Sequence, residues 1–186
     1  MKRIRLMLMV TITILVAPPA NLAAPAAAAA TAVSATARQD VPFARVYLAL
    51  RGCTSCSHCR TAIRQMARAG SGGAEARVST NAVEVRYVKP APIRLREVIG
   101  RLAENRLHDL TLVDVLFEAE GTVATTSAGT TFTLRDTDQS FPLALTPTLA
   151  KQERGATVRL TAVVEGWRER GALKLVARDL VPVRGT

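Results

Sequence analysis

The sequence predicts an α+β protein in which a βαββαβ unit is followed by a small all-β barrel. Within the first part, runs of alternating apolar residues and stretches with helical periodicity follow one another in the order strand, helix, strand, strand, helix, strand. Beyond Gly121 helical periodicity stops, and short β-type runs separated by polar connections take over. These two patterns predict two domains, residues 43–117 and residues 118–186.

The first strand is predicted over residues 44–50, where every second residue points to the same face of a sheet. A loop with three cysteines follows directly, Cys53, Cys56 and Cys59. A helix is predicted from this loop to about Ala69, because apolar residues recur on one helical face. The cysteines therefore lie between the end of a strand and the beginning of a helix.

Two short strands and a second helix complete the first unit. Residues 76–88 are interpreted as two strands with a turn between them. Pro90 and Pro92 break the chain and can open a helix. Apolar residues at i, i+3, i+4 and i+7 from Leu95 predict an amphipathic helix, and residues 110–120 predict a long strand. This order is the split βαβ, ferredoxin-like arrangement.

The second half is predicted to be an OB-like barrel. Its β-type runs are residues 132–134, 142–145, 158–164 and 173–177. About five strands at this spacing favour a small barrel. The stretch 120–123, which turns into 131–135, and residues 161–165 resemble the first, second and fourth strands of such a barrel. The strand that begins near Leu110 could serve both halves.

Residues 1–37 are predicted to be a signal peptide with an alanine-rich leader. Lys2, Arg3 and Arg5 precede an apolar stretch, residues 6–17, that is too short to span a bilayer. Cleavage would place the protein in the periplasm or outside the cell, whereas an uncleaved N-terminal anchor is the alternative. The leader holds three cations and no acid, so its removal lowers the formal net charge from +10 to +7. No second long apolar run exists, which excludes a polytopic membrane protein.

The cysteine spacing is suited to a soft metal ion. A helix N-terminus favours thiolate over thiol, and thiolates select Cu(I) and Zn(II) over hard cations. Cys56 and Cys59 are the natural ligand pair, and Cys53 could complete a three-coordinate site. His58 and His108 are the other candidate ligands by residue type.

Apolar Ile63 stands four positions after Cys59, and the strand sequences Val-Ser at 78–79 and Val-Glu-Val-Arg-Tyr at 83–87 follow. This combination resembles the heavy-metal-associated domain, the family of copper chaperones, periplasmic mercury-binding proteins and modules of metal-pumping ATPases. The resemblance covers residues 43–117. It implies that Cys56 and Cys59 hold one soft metal ion, Cu(I) in the first place and Hg(II) or Zn(II) as alternatives.

The cysteine loop departs from the family pattern. Three residues separate Gly52 from Cys56 where the family has two, and Cys53 follows the glycine where the family has Met. Cys53 is therefore interpreted as a packing residue, as an added ligand or as a disulfide partner. In this fold the loop that holds His108 lies beside the metal loop, which makes His108 a further candidate ligand.

We expect an exported protein that carries, buffers or sequesters one soft metal ion. We do not expect an enzyme, because the sequence contains no Ser-His-Asp grouping, glycine-rich phosphate loop or His-Glu-x-x-His motif. Thiol–disulfide redox chemistry in the periplasm is an alternative use of the same cysteines. A structural adaptor without metal is a third interpretation.

The charge pattern of the first helix suggests a protein partner. Arg60, Arg64 and Arg68 fall at i, i+4 and i+8, so they form one stripe that begins beside the cysteines. The stripe is interpreted either as a docking face for an acidic metal donor or acceptor, or as an ordinary solvated face. Nucleic acid is not expected as a partner, because exposed aromatic residues are scarce. We also expect no stable membrane insertion after cleavage.

Overall fold

The computed structural model describes residues 42–105, 107, 109–151, 156–169 and 171–183. This part of the chain forms eight strands, two α-helices and one turn of 3₁₀ helix at Leu149–Lys151. The elements are β1 Ala44–Arg51, α1 Ser57–Gly70, β2 Glu75–Val78, β3 Ala82–Tyr87, α2 Leu95–Ala103, β4 Thr111–Thr126, β5 Gly129–Leu134, β6 Ser140–Ala144, β7 Thr157–Glu165 and β8 Lys174–Pro182. Neither helix has the length and apolarity that a membrane crossing requires.

All eight strands belong to one sheet. Their order is β2-β3-β1-β4-β5-β6-β8-β7, and β4 also pairs with β7. Neighbouring strands are antiparallel, with the exception of the parallel pair β6–β8. The additional pairing closes β4, β5, β6, β8 and β7 into a five-stranded barrel. Strands β2, β3 and β1 extend the sheet from the first half of β4.

The predicted fold class, a ferredoxin-like βαββαβ domain followed by a small all-β OB-like barrel, is wrong. The described chain is mostly β. Its eight strands form a single sheet, five of them close into a barrel, and two α-helices complete the structure. The strand near Leu110 does serve both halves, because β4 runs through 16 residues and pairs with β1 as well as with β5 and β7. At its middle, Phe117 is opposite Val46 of β1 on one side and Ala162 of β7 on the other. The predicted OB-like barrel is confirmed in part, because five strands do close into a barrel.

In the described residues no α-helix follows Gly121, as the sequence predicted, but Gly121 itself does not end a strand. The residue lies inside β4, opposite Leu134 of β5 and Val158 of β7. A Cβ atom at this position would come within 2.6 Å of the Phe132 ring, so only glycine fits. The glycine therefore permits close packing within a continuous strand and does not end it. The predicted domain boundary at 117/118 falls inside β4, and the division into two domains stays a prediction.

The hydrophobic core continues from the helices into the barrel. Both helices bury one face, and Gly70 of α1 lies so close to α2 that an added Cβ would be 2.7 Å from the Cα atom of Val98. The Phe117 ring packs edge-on against Phe132, with ring centroids 6.4 Å apart, and at 5.5 Å from Phe141. Phe132 and Phe141 are buried in this core.

Candidate metal centre

Cys56 caps the N-terminus of α1. Its backbone is extended, with φ −70° and ψ 145°, and its Sγ atom accepts a hydrogen bond of 3.1 Å from the backbone N–H of Cys59. The carbonyl of Cys56 accepts the first helical bond, from the N–H of Arg60 at 3.0 Å. The first turn of α1 contains no acidic residue. The partial positive charge of the helix N-terminus is therefore available to stabilise a thiolate at Cys56.

The three cysteine thiols converge. The Sγ atoms of Cys53, Cys56 and Cys59 lie within 4.8 Å of one another. Cys53 and Cys56 are exposed, Cys59 is half-buried, and all three are free of disulfide bonds. Across the described ranges, this is the one group of three or more Cys, His, Asp or Glu side chains with metal-binding proximity. The group could hold a soft metal ion, because thiolates are soft ligands.

The pKa values of the Cys56 and Cys59 thiols are shifted in opposite directions. The hydrogen bond with the Cys59 thiol, followed by the bond from the backbone N–H of Cys59, lowers the pKa of Cys56. The same thiol–thiol hydrogen bond, followed by desolvation, raises the pKa of Cys59 to about 12. Of these two residues, Cys56 is therefore the first to become a thiolate. Cys59 gives up its proton when a positive charge, such as a bound metal ion, replaces it.

Thr54 takes the buried position in the cysteine loop, and Cys53 does not. The Thr54 side chain is 3% exposed, whereas Cys53 is exposed. The interpretation of Cys53 as a packing residue is therefore wrong, because the residue after it fills that place. The extra residue between Gly52 and Cys56 is the sequence signal for this difference in packing.

The two histidine candidates do not join the described cysteine group. His58 is exposed on the first turn of α1, and it is not one of the clustered side chains. His108 lies outside the described residues. Ligation by either histidine therefore stays a prediction from the sequence.

Only part of the arginine stripe of α1 is available to a partner. The Arg60 guanidinium donates a hydrogen bond of 3.0 Å to the carbonyl of Val78, which links α1 to the end of β2. Arg64 and Arg68 are exposed. Neither makes an ion pair with another described residue, so both charges face solvent.

A cleft of about 490 Å³ lies where β4 and β7 diverge. The Arg168 guanidinium stands 4.3 Å from the centre of the half-buried Trp167 ring, and it donates a hydrogen bond of 2.8 Å to the carbonyl of Val113. These contacts attach the β7–β8 loop to the beginning of β4. They cover one face of Trp167, the single tryptophan of the chain.

No protein-family model, curated protein or solved structure matches this chain. The resemblance to the heavy-metal-associated domain therefore stays a prediction, and function is inferred from the cysteine group.

Proposed function

We propose that this protein binds one soft metal ion, Cu(I) in the first place, through Cys56 and Cys59. The observation that carries this proposal is the convergence of free thiols at the N-terminus of α1. One of them, Cys56, already has a lowered pKa because of its hydrogen bonds with Cys59. Soft thiolate ligands favour Cu(I), and Hg(II) and Zn(II) are the alternative ions.

The site belongs to a protein that carries, buffers or sequesters its ion. Closed structural zinc sites surround the metal with four protein ligands. Here two of the three thiols are exposed, so an incoming thiolate from another molecule can reach the bound ion before a resident thiolate leaves. This accessibility suits transfer between proteins.

Export and the absence of enzymatic activity belong to the same proposal. Export is supported by the pattern of residues 1–37, where three cations precede a short apolar stretch. A non-enzymatic role is supported by the lack of a recognisable catalytic motif in the sequence. Membership of the heavy-metal-associated family is supported by the motif around Cys56 and Cys59 and by the spacing of the strands after it.

An acidic protein is the proposed donor or acceptor of the ion. The 14 residues of α1 include three arginines and no acidic residue. Since Arg60 is engaged with Val78, Arg64 and Arg68 are the charges that a partner would meet. Because the stripe begins beside Cys59, an acidic partner on it would have its own ligands near the metal.

Thiol–disulfide exchange is the second candidate function, and one observation favours it. A thiol with a lowered pKa beside a second thiol is also the arrangement with which redox proteins attack disulfides. The two functions differ in their response to metal. A metal carrier binds Cu(I) tightly in its reduced form, whereas a redox protein cycles between dithiol and disulfide.

The test is a Cu(I) titration of the reduced full chain against a competing chelator. We expect one tightly bound ion per chain, and we expect its loss when Cys56→Ser and Cys59→Ser are combined. Ser55→Ala, an exposed change in the same loop, is the matched control and should bind like the wild type. A stoichiometry near one that survives the double substitution contradicts the site. Weak binding together with disulfide-exchange activity supports the redox function instead.

A further inference from the structure

We propose that Cys53 is a third thiolate ligand, so that the loop binds its ion through three sulfur atoms. This inference rests on the proposed function and adds the coordination number of the site. The pair Cys56 and Cys59 is sufficient for soft-metal binding in general. A third sulfur changes which soft ions are preferred and how tightly they are held.

The exposure of Cys53 is the first observation behind this proposal. A cysteine side chain is usually buried, where it packs like a small apolar residue. Cys53 is exposed, while Thr54 next to it is buried and Cys59 packs partly against the core. Cys53 therefore has no packing role, and its thiol faces the other two thiols.

The distances between the sulfur atoms are the second observation. A thiolate–metal bond of about 2.3 Å places the sulfur atoms of a planar three-coordinate site about 4.0 Å apart. The three Sγ atoms lie within 4.8 Å of one another without a metal. Side-chain rotation in an exposed loop can move a sulfur atom by about 1 Å. Such adjustments would bring all three Sγ atoms within bonding distance of one ion.

The backbone holds Cys53 in place from the strand side. Gly52, the residue before it, has φ +119°, and an added Cβ there would overlap the carbonyl oxygen of Asp109 and lie 2.6 Å from its carbonyl carbon. The loop therefore leaves β1 in a direction that is set by close contact with the chain that follows α2. The other end of the loop is held by the N-cap of α1 at Cys56. Both ends are positioned before the metal arrives.

Three thiolates define the class of ion. Zn(II) in protein sites is almost always four-coordinate, and thiolate-rich sites also select Cu(I). A three-sulfur site suits soft ions that are stable with three thiolate ligands, and we assign this site to Cu(I). One monovalent cation with three thiolates leaves two negative charges, which the N-terminus of α1 stabilises.

The test compares Cys53→Ser with wild-type protein and with the control Ser55→Ala, using Cu(I) alone as the probe. Loss of an outer-shell partner of a metal ligand costs about tenfold to a hundredfold in affinity, and we expect at least this loss for Cys53→Ser. The stoichiometry should stay at one ion per chain. X-ray absorption at the copper edge should report three sulfur neighbours in the wild type and two in the variant.

The outcomes separate this inference from the proposed function. Wild-type affinity in Cys53→Ser, or two sulfur neighbours in both proteins, overturns the three-sulfur site and leaves the Cys56–Cys59 site standing. An absence of Cu(I) binding by the wild type overturns both. Since Cys53 is exposed, circular dichroism should show that the variant retains its fold.

Discussion

Gln139 holds Ile93 with both ends of its side-chain amide. The backbone N–H of Ile93 donates to Oε1 at 2.7 Å, and Nε2 donates to the Ile93 carbonyl at 2.9 Å. Gln139 lies in the turn between β5 and β6, whereas Ile93 is a buried residue just before α2. The Gln139 side chain therefore pairs with both the N–H and the carbonyl of Ile93, and it links the β5–β6 turn to the segment that precedes α2.

Replacing Gln139 should destabilise the whole fold. In Gln139→Ala two backbone groups next to a buried side chain lose their partners, and we expect a loss of about 2 kcal/mol in the free energy of unfolding. Urea denaturation followed by circular dichroism measures this change. Gln65→Ala, on the exposed face of α1, is the control and should stay within about 0.5 kcal/mol of the wild type. Equal stability of the two variants would contradict a role for the amide contact.

Cys56 should be more reactive than Cys59, and its reactivity should depend on Cys59. Because the pKa of Cys56 is lowered, its thiolate persists as pH falls to values at which an ordinary cysteine is already protonated. Alkylation by iodoacetamide at a series of pH values, located by mass spectrometry, should therefore modify Cys56 before Cys59. Cys59→Ala removes the thiol donor, so the pH midpoint for Cys56 should rise. Preferential modification of Cys59 would contradict this order.

Gly52→Ala should be among the most damaging single substitutions in the cysteine loop. The new side chain would meet the backbone of Asp109, and φ at this position is positive. We expect a loss of about 2 kcal/mol or more in the free energy of unfolding. Gly73 also has a positive φ, of 96°, but nothing lies within 4 Å of an added Cβ there.

Gly73→Ala is therefore the matched control for the backbone strain alone. It should lose only about 1–2 kcal/mol, the usual cost of a left-handed conformation for an L-residue. Urea denaturation of both variants isolates the contribution of the contact with Asp109. If Gly52→Ala loses no more stability than Gly73→Ala, the close approach of the two loops does not constrain the cysteine loop.

Charge reversal on α1 should slow metal transfer to negatively charged acceptors. We expect Arg64→Glu combined with Arg68→Glu to reduce the rate of Cu(I) transfer to an anionic chelator about tenfold at low ionic strength. The effect should decrease as salt is added. Lys89→Glu combined with Arg178→Glu changes the net charge by the same amount at two other exposed positions. Equal rates for the two double variants would show that net charge, and not the α1 stripe, guides the acceptor.

Local patterns in the sequence predicted the individual elements well. The alternation over residues 44–50 corresponds to β1, and the apolar spacing from Leu95 corresponds to α2, because each pattern follows from burial of one face. The sequence left open that the strand near Leu110 could serve both halves, but its partners, β1 and β7, were not predictable in the same way. The choice of partners depends on contacts between strands that are far apart in the sequence.

The cysteine site was predictable in its residues but not in its packing. The spacing of the cysteines and the start of α1 were enough to place the thiols at a helix N-terminus. Which loop residue would be buried depends on how one additional residue is accommodated between Gly52 and Cys56. Cys53 and Thr54 both fit that position by size and chemistry, and only the folded backbone decides in favour of Thr54.

The continuity of β4 has a consequence for any attempt to use the cysteine loop elsewhere. A chain that ended at Phe117 would keep Cys53, Cys56 and Cys59, but it would lose the β4 residues that pair with Ala44 and Arg45 of β1, and it would leave Leu116 and Phe117 without their partners in β7. It would also lose the aromatic contacts of Phe117 with Phe132 and Phe141. Such a fragment would expose the Phe117 side chain, which is fully buried in the intact sheet, and we expect it to aggregate. The smallest transferable unit that keeps the cysteine loop in this fold is therefore the entire sheet with both helices.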